Sequence, residues 1–494
     1  MSGGGFAVAN SLFSKEGHYK ATLESGRGLN QNQRVKALVE NGPEAIDGLK
    51  RYGVPMVEIK GGYRVIPPSD SMQLGGVQLL KPLVERLKSA TVQILPGLIV
   101  FDLVVEEGAV RGAFGFLKDG RPCLIQSNAV ILASGGAGAL YRRNDNTSTI
   151  LGDGYALALR AGLPVFDIEF VQFYPLACAD YRLPNFAIPV PCPNETRLIN
   201  KKGEDLFERL GIKKNLNHSL LTERDRISRA FYEAAQQGDV YCDLTAVPTE
   251  KWEHYPLNTL RKLKFSFHDQ PVLVSPTAHF FMGGLELAEN GSTALPGLFA
   301  AGEVTWGIHG SNRLGGNALT ECAVFGTIGG RSAAEYVLEK ACCSKGTFDL
   351  FSETSLKKWE TRAKNYLTFK EDVLERPAEL LKNLKDLAWK YAGVVREEGS
   401  MKEGLAQLAA LEKRIEGVHP NVMKDILIRK ELENGALIIK AILQGSLLRA
   451  ESRGSFFRKD FPEQDDQNWK KNTCYRLVNG EFEISHRPVK LRNG

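Results

Sequence analysis

No stretch of this sequence approaches the roughly 18–20 unbroken apolar residues that span a bilayer as a helix. The most apolar segment, AVILASGGAGAL (129–140), is short and broken by glycine, so a transmembrane segment is not expected. The opening MSGGGFAVANS has no basic cluster ahead of an apolar core, so no signal peptide is read there. Cysteine is sparse: eight are scattered along 494 residues, and Cys342 and Cys343 form the only close pair. With no CxxC and no ligand spacing, a zinc site or a cysteine-ligated iron–sulfur cluster in this chain is excluded, and no metal is expected. The thiols read as those of a reduced, cytoplasmic protein. There is no Lys/Arg block, and a net charge of +5 is too weak for this length to imply nucleic acid.

What is present is ordinary globular texture, 43% hydrophobic and 24% charged, in a chain long enough for two or three domains. Residues 1–100 are mixed; NGPEAIDGLKRYGV (41–54) predicts a helix capped by Asn41 with Pro43 in its first turn. LLKPLVERLKSA predicts another helix. Residues 101–165 change period and predict strands joined by Glu-Gly and Asp-Gly turns. They end in the apolar strand AVILA, which runs into Gly135, Gly136 and Gly138. A helix opening with Asp153-Gly154 follows. Residues 175–275 are proline-rich and then carry charged helices, as a separate cap would. Residues 276–335 return to glycine-rich α/β texture, and about 350–450 has the apolar spacing of a small helical bundle.

Two glycine-rich loops point to a cofactor. A strand ending in glycines is how an α/β sheet meets a phosphate or dinucleotide, though Gly-Gly-x-Gly alone also serves as a tight turn. The second loop, GLFAAGEVTWGIHGSNRLGGNAL (297–319), is a short strand ending in Gly302 and Glu303. A carboxylate there can accept hydrogen bonds from sugar hydroxyls. The following helix start offers free backbone N–H groups to an electron-rich ring edge or an anion.

Five segments in order carry a family resemblance: ILASGGAGALY (131–141), GDGYALALRAG (152–162), IEFVQFYP (168–175), SPTAHFFMGGL (275–285) and the 297–319 loop. ESRGSFFRKDFPEQDDQNW (451–469) extends it almost to the end. The sequence resembles the flavoprotein family of succinate dehydrogenase, fumarate reductase and L-aspartate oxidase. The resemblance implies an α/β fold: a Rossmann-like FAD-binding domain in two parts (1–174 and 276–340), an inserted α+β capping domain (175–275), and a C-terminal helical domain with a tail (345–494). It also implies non-covalent FAD and hydride transfer between the flavin and a carbon beside a carboxylate. Since the chain carries no cluster, electrons would pass to or from an iron–sulfur or other partner subunit, a soluble donor or oxygen. A partner subunit would hold this cytoplasmic chain at the inner face of the membrane.

Roles carry over by position. Arg313 matches the family arginine that clamps a substrate carboxylate, which its planar fork suits. His279 matches the histidine that holds the same group, and His309 lies close to the flavin. Arg224 matches the arginine proposed as proton donor, with Arg226 and Arg229 nearby as competitors. Glu303 would hold the FAD sugar, Asp153 would lie near the flavin, and Gly135, Gly136 and Gly138 would let the backbone approach it. Gly4 and Gly5 would touch the isoalloxazine ring, and Ala318 and Leu319 would face its pyrimidine.

Three departures stand out. Tyr174 and Leu176 replace the histidine and threonine of the family's QFHPT pattern. The glutamate that follows in the family has no clear counterpart, Glu195 being the nearest candidate. Both changes point to a substrate other than plain fumarate or succinate, a larger and more apolar enoate. The family's opening strand–GxGxxG–helix unit is the third: the chain begins at a glycine-rich stretch that lies about 30 residues further on in the family. The expectation is a late start, a fragment, or a unit supplied by another chain. L-Aspartate oxidase-like amine oxidation and a non-catalytic flavin-binding subunit are the alternative readings.

Overall fold

Two segments far apart in sequence run side by side. Strand Val130–Leu132 pairs in parallel with Leu298–Ala300, Val130 opposite Leu298 and Leu132 opposite Ala300. Each is short and aliphatic, and each leads into a glycine with left-handed backbone, Gly135 at φ 74° and Gly302 at φ 78°. The two glycine-rich loops of the sequence therefore leave one sheet edge together. The computed structural model in which this is seen describes residues 3–67, 75–184, 186–188, 190–209, 216–254, 256–343, 351–367, 375–418 and 422–489.

Ahead of this pair lies an antiparallel meander of Leu98–Glu106, Ala109–Leu117 and Pro122–Gln126. Its first turn is the expected Glu-Gly: Glu107 and Gly108 both have positive φ, as a two-residue primed turn requires. At the N-terminus, Gly5–Ala7 pairs with Gly62–Val65, which pairs with Met56–Ile59. The helix expected at Asn41 instead begins at Asn32 and runs to Arg51. Asn41 is inside it, its side chain donating to the Ala37 carbonyl at 2.8 Å. The capping signal loses because Val35, Leu38, Val39, Gly42 and Ile46 form one continuous buried face, which holds the helix through Pro43.

The cap is an antiparallel sheet in the order Arg197–Asn200, Val240–Asp243, Val272–Phe281, Val171–Cys178. It has its own apolar core, including Leu176, Ile188, Leu198, Phe231, Cys242 and Trp252, against which helix Arg224–Gln237 packs. Its two long strands cross the boundaries read at 174/175 and 275/276 and carry the cap's sheet down toward the glycine loops.

Helices Glu353–Tyr366, Pro377–Tyr391, Glu398–Glu416 and Met423–Leu448 form the bundle. The tail after them is a hairpin, Lys471–Val478 with Glu481–Pro488, whose first strand adds to Val165–Phe166 of the first domain. A fully buried ionic network fixes this return. Arg449 Nε donates to Glu169 at 3.1 Å and its Nη1 to Glu451 at 2.9 Å, while Arg453 also holds Glu451. Tyr475 and Thr473 donate to Glu169, and the Thr473 backbone N–H, Asn472 Nδ2 and Trp306 Nε1 converge on Asp167.

Candidate active site

The parallel strand pair delivers both glycine loops to one place. A Cβ on Gly136 would lie 2.2 Å from Glu303 Oε1, so a larger residue in the first loop would displace the carboxylate of the second. Glu303 accepts a hydrogen bond from the Phe281 backbone N–H at 2.9 Å. Burial nonetheless pushes its pKa up to about 7, against the pull of that N–H and of Arg313.

The loop between Glu303 and the helix Asn317–Cys343 is irregular and buried. Gly310 and Gly316 have φ of 56° and 90°, and a Cβ at either would strike the backbone of Gly26 or Ala7. The glycine density of this stretch is thus close passage against the N-terminal segments. Arg313 sits in it with its guanidinium 4.5 Å above the Phe280 ring. It is buried, and its Nε has no partner in the chain. Burial and the Arg224 charge together bring its pKa down to about 9. A buried, under-partnered guanidinium is a site built for an anion.

His279 comes from the lower half of strand Val272–Phe281, at an irregularity in its pairing with the neighbouring strand. Its Nδ1 is 2.7 Å from Asp145 Oδ2. Burial lowers its pKa, Asp145 raises it, and Arg313 and Arg224 lower it further. Arg224 is the first residue of the cap helix; Nε donates to the Leu220 carbonyl at 3.1 Å and Nη1 to Gln172 Oε1 at 3.2 Å. Burial pushes its pKa below the ordinary value, with Tyr174, Asp145 and Asp225 opposing. Its neighbours are elsewhere: Arg226 pairs with Glu223, and Arg229 covers the Phe457 ring.

The Tyr174 ring lies between these groups, 5.6 Å from the His279 ring and 5.5 Å from the Arg224 guanidinium. Its hydroxyl donates to the Ile188 carbonyl at 3.2 Å, so the ring, not the oxygen, faces His279 and Arg224. Gln172 shares that face of the strand, two residues away. Its amide nitrogen donates to Asn312 Oδ1 and the Arg313 carbonyl while its oxygen receives Arg224. Gln172 and Asp145 were not singled out in the sequence. For Gln172 the alternation of IEFVQFYP was the available signal; for Asp145, in a polar loop, there was none.

His309 is buried with Nε2 2.9 Å from Glu321 Oε2 and stands edge-on to Phe280 at 5.0 Å. Ala318 packs beside Phe280 and Leu29, and Leu319 beside Phe6 and Val8. Gly4 is tightly packed at φ 76°, whereas the open side of Gly5 meets nothing within 4 Å. Three of the expected residues have partners within the chain. The Asp153 carboxylate turns away to accept from Asn434 of the helical bundle, since Arg160 and Lys430 draw it there. Gly138 makes room for the Asn146 side chain, whose Nδ2 would lie 2.2 Å from a Cβ there. Glu195 pairs with Lys251 at 2.6 Å on the cap and is not part of the cluster.

Several buried polar atoms here have no partner in the chain: Ser134 Oγ, Thr277 Oγ1, His309 Nδ1 and Arg313 Nε. With the open face of Gly5 and the Gly136–Glu303 cradle they fit a large polar, planar group. Among the described residues no cluster of metal-ligating side chains and no helix long and apolar enough to cross a membrane is found.

Residues 1–319 match the FAD binding domain family model, and 381–494 match that of the fumarate reductase flavoprotein C-terminal region. Fold and site thus define an FAD-dependent oxidoreductase with a cap and a helical domain. The fumarate reductase flavoprotein subunit of Escherichia coli is 30% identical over 99% of this chain and 86% of its own length. A Methanocaldococcus jannaschii protein named only as an FAD-dependent oxidoreductase is 32% identical over 96% of this chain and 88% of its own. The solved FrdA chain of E. coli quinol fumarate reductase superposes with a TM-score of 0.84 at 28% identity, covering 99% of this chain and 89% of that one. The chain belongs to the family of fumarate reductase and succinate dehydrogenase flavoproteins.

Proposed function

We propose that this chain interconverts an α,β-unsaturated carboxylate and its saturated form, with an apolar group where fumarate has its second carboxylate. When bound, FAD supplies the two-electron hydride chemistry. Glu303 holds its sugar hydroxyls, and Gly135 and Gly136 let the backbone approach it. Arg313 and His279 hold the substrate carboxylate, Arg313 through the fork its unpartnered Nε leaves open. Arg224, kept rigid by Leu220 and Gln172, gives or takes the proton at the adjacent carbon. Burial favours that task by lowering its pKa, which makes the guanidinium a stronger proton donor. With domain limits near residues 175, 275 and 345, Arg224 belongs to the cap and Arg313 to the FAD-binding domain, while His279 lies on the strand that runs from one to the other. The relatives' designation as flavoprotein subunits supports an electron-transferring partner, and among the described residues no cluster of metal-ligating side chains is found.

The observation that carries the substrate class is Tyr174. Its ring fills the space between His279 and Arg224, and its hydroxyl is turned into the cap. An aromatic face there favours an apolar substituent over a second carboxylate. The test is reoxidation of the reduced holoprotein by a panel of carboxylates. Crotonate- and cinnamate-type acids are expected to outpace fumarate, and Tyr174→His to shift the preference toward fumarate by about tenfold or more. Fumarate as the preferred oxidant of the wild type would overturn this reading. Hydrogen peroxide formed from aspartate would replace it with amine oxidation.

A further inference from the structure

We propose that Asp145 is a positioning residue that makes carboxylate binding at His279 depend on uptake of a proton by that histidine. This rests on the reading of His279 as a carboxylate-holding group.

The pair is built into the main chain. The loop of residues 143–146 is zipped to the histidine strand: the Ala278 N–H donates to the Arg143 carbonyl at 2.9 Å, and the Asp145 N–H returns to the Ala278 carbonyl at 3.3 Å. Asn146 Nδ2 donates to the same carbonyl at 3.2 Å. Asp145 is thereby held with its side chain 4% exposed and Oδ2 at 2.7 Å from His279 Nδ1. A carboxylate accepts hydrogen bonds, so Nδ1 carries the hydrogen, and Nε2 is the ring nitrogen left for a ligand. A neutral ring in that tautomer presents a lone pair at Nε2, which repels a carboxylate. To donate to one, His279 must take a second proton from solvent and become an imidazolium.

The groups around the ring set that balance. Arg313 from the glycine loop and Arg224 from the cap helix oppose the added charge, as does burial, and the Tyr174 ring supplies no formal charge. Asp145 favours it, and its carboxylate also acts electrostatically on both arginines. The free site therefore holds His279 neutral. An arriving carboxylate adds the second negative neighbour that brings the proton in, so ligand and proton bind together.

The experiment titrates the oxidised holoprotein with acetate and crotonate, followed by the flavin absorbance, from pH 5 to 9. Wild-type affinity is expected to fall about tenfold per pH unit on the alkaline side. Weakly buffered samples with an indicator dye should register about one proton taken up per carboxylate bound there. Asp145→Asn keeps the hydrogen bond and removes the charge. It should retain near-wild-type affinity at pH 5 while its alkaline loss moves about one pH unit or more toward acid. An unchanged pH profile in Asp145→Asn, or no proton uptake in the wild type, would overturn the inference alone. If His279→Gln binds carboxylates as the wild type does, or if no carboxylate perturbs the flavin at all, the underlying reading falls and this inference with it.

Discussion

Glu303 illustrates how much one buried carboxylate decides. Its pKa of about 7 in the fold lies above the 4.5 of an unfolded chain. A raised folded-state pKa contributes stability that is complete below the unfolded value and lost as pH rises through the folded one. The cost of ionising it in the flavin-free protein is on the order of 3 kcal/mol. Flavin-free wild type is therefore expected to melt at lower temperature at pH 8 than at pH 6. Glu303→Gln should flatten that dependence and weaken FAD binding. Asp167 carries a shift of the same sign, so the difference between wild type and variant is what isolates Glu303. Identical melting profiles across pH in the two proteins would refute the assignment. Arg313, His279, Arg224 and Glu303 were all legible in the sequence, because each sits in a motif. Asp145 was not, since its importance lies in meeting a strand 134 residues away.

At the scale of elements, the two glycine loops work because their strands are parallel neighbours. Gly136→Ala would put a methyl group onto the Glu303 carboxylate and displace it from the position in which it is proposed to hold the FAD sugar. We expect at least tenfold weaker FAD binding by fluorescence titration. Gly326, in the helix Asn317–Cys343, is the control: a Cβ there meets nothing within 4 Å. Gly326→Ala should leave FAD affinity alone and raise stability by about 0.5–1 kcal/mol. Equal FAD affinity in Gly136→Ala and Gly326→Ala would remove the cradle from the argument. Elements were also where local signals misled. A capping asparagine and a proline marked a helix start at residue 41 that a continuous apolar face overrode. No local signal showed that Gly138 makes room for Asn146 or that Asp153 accepts from Asn434 of the helical bundle.

For the whole molecule, the return of the C-terminal hairpin to the first domain is the decisive connection. It rests on Arg449, fully buried and flanked by Glu169 and Glu451. Removing one member of such a network strands the others as uncompensated charge, typically at a cost of about 3–5 kcal/mol. Arg449→Met should lose stability of that size in urea denaturation, with the bundle and the FAD-binding domain uncoupling. A loss under about 1 kcal/mol would mean that the hairpin is held by its apolar contacts instead. The residues of this network are spread over more than 300 positions, from Asp167 to Tyr475.

The sequence by itself determined the class of fold and the cofactor. Those follow from short motifs, in which backbone conformation and chemistry are local properties. It also marked Tyr174 as a departure. Tertiary structure alone decided which way that ring faces, that His279 is paired with Asp145, that Gln172 ties the two arginine-bearing elements together, and that the tail is a hairpin rejoining the first domain. Each of these depends on contacts between segments distant in the chain, whose geometry no local pattern encodes.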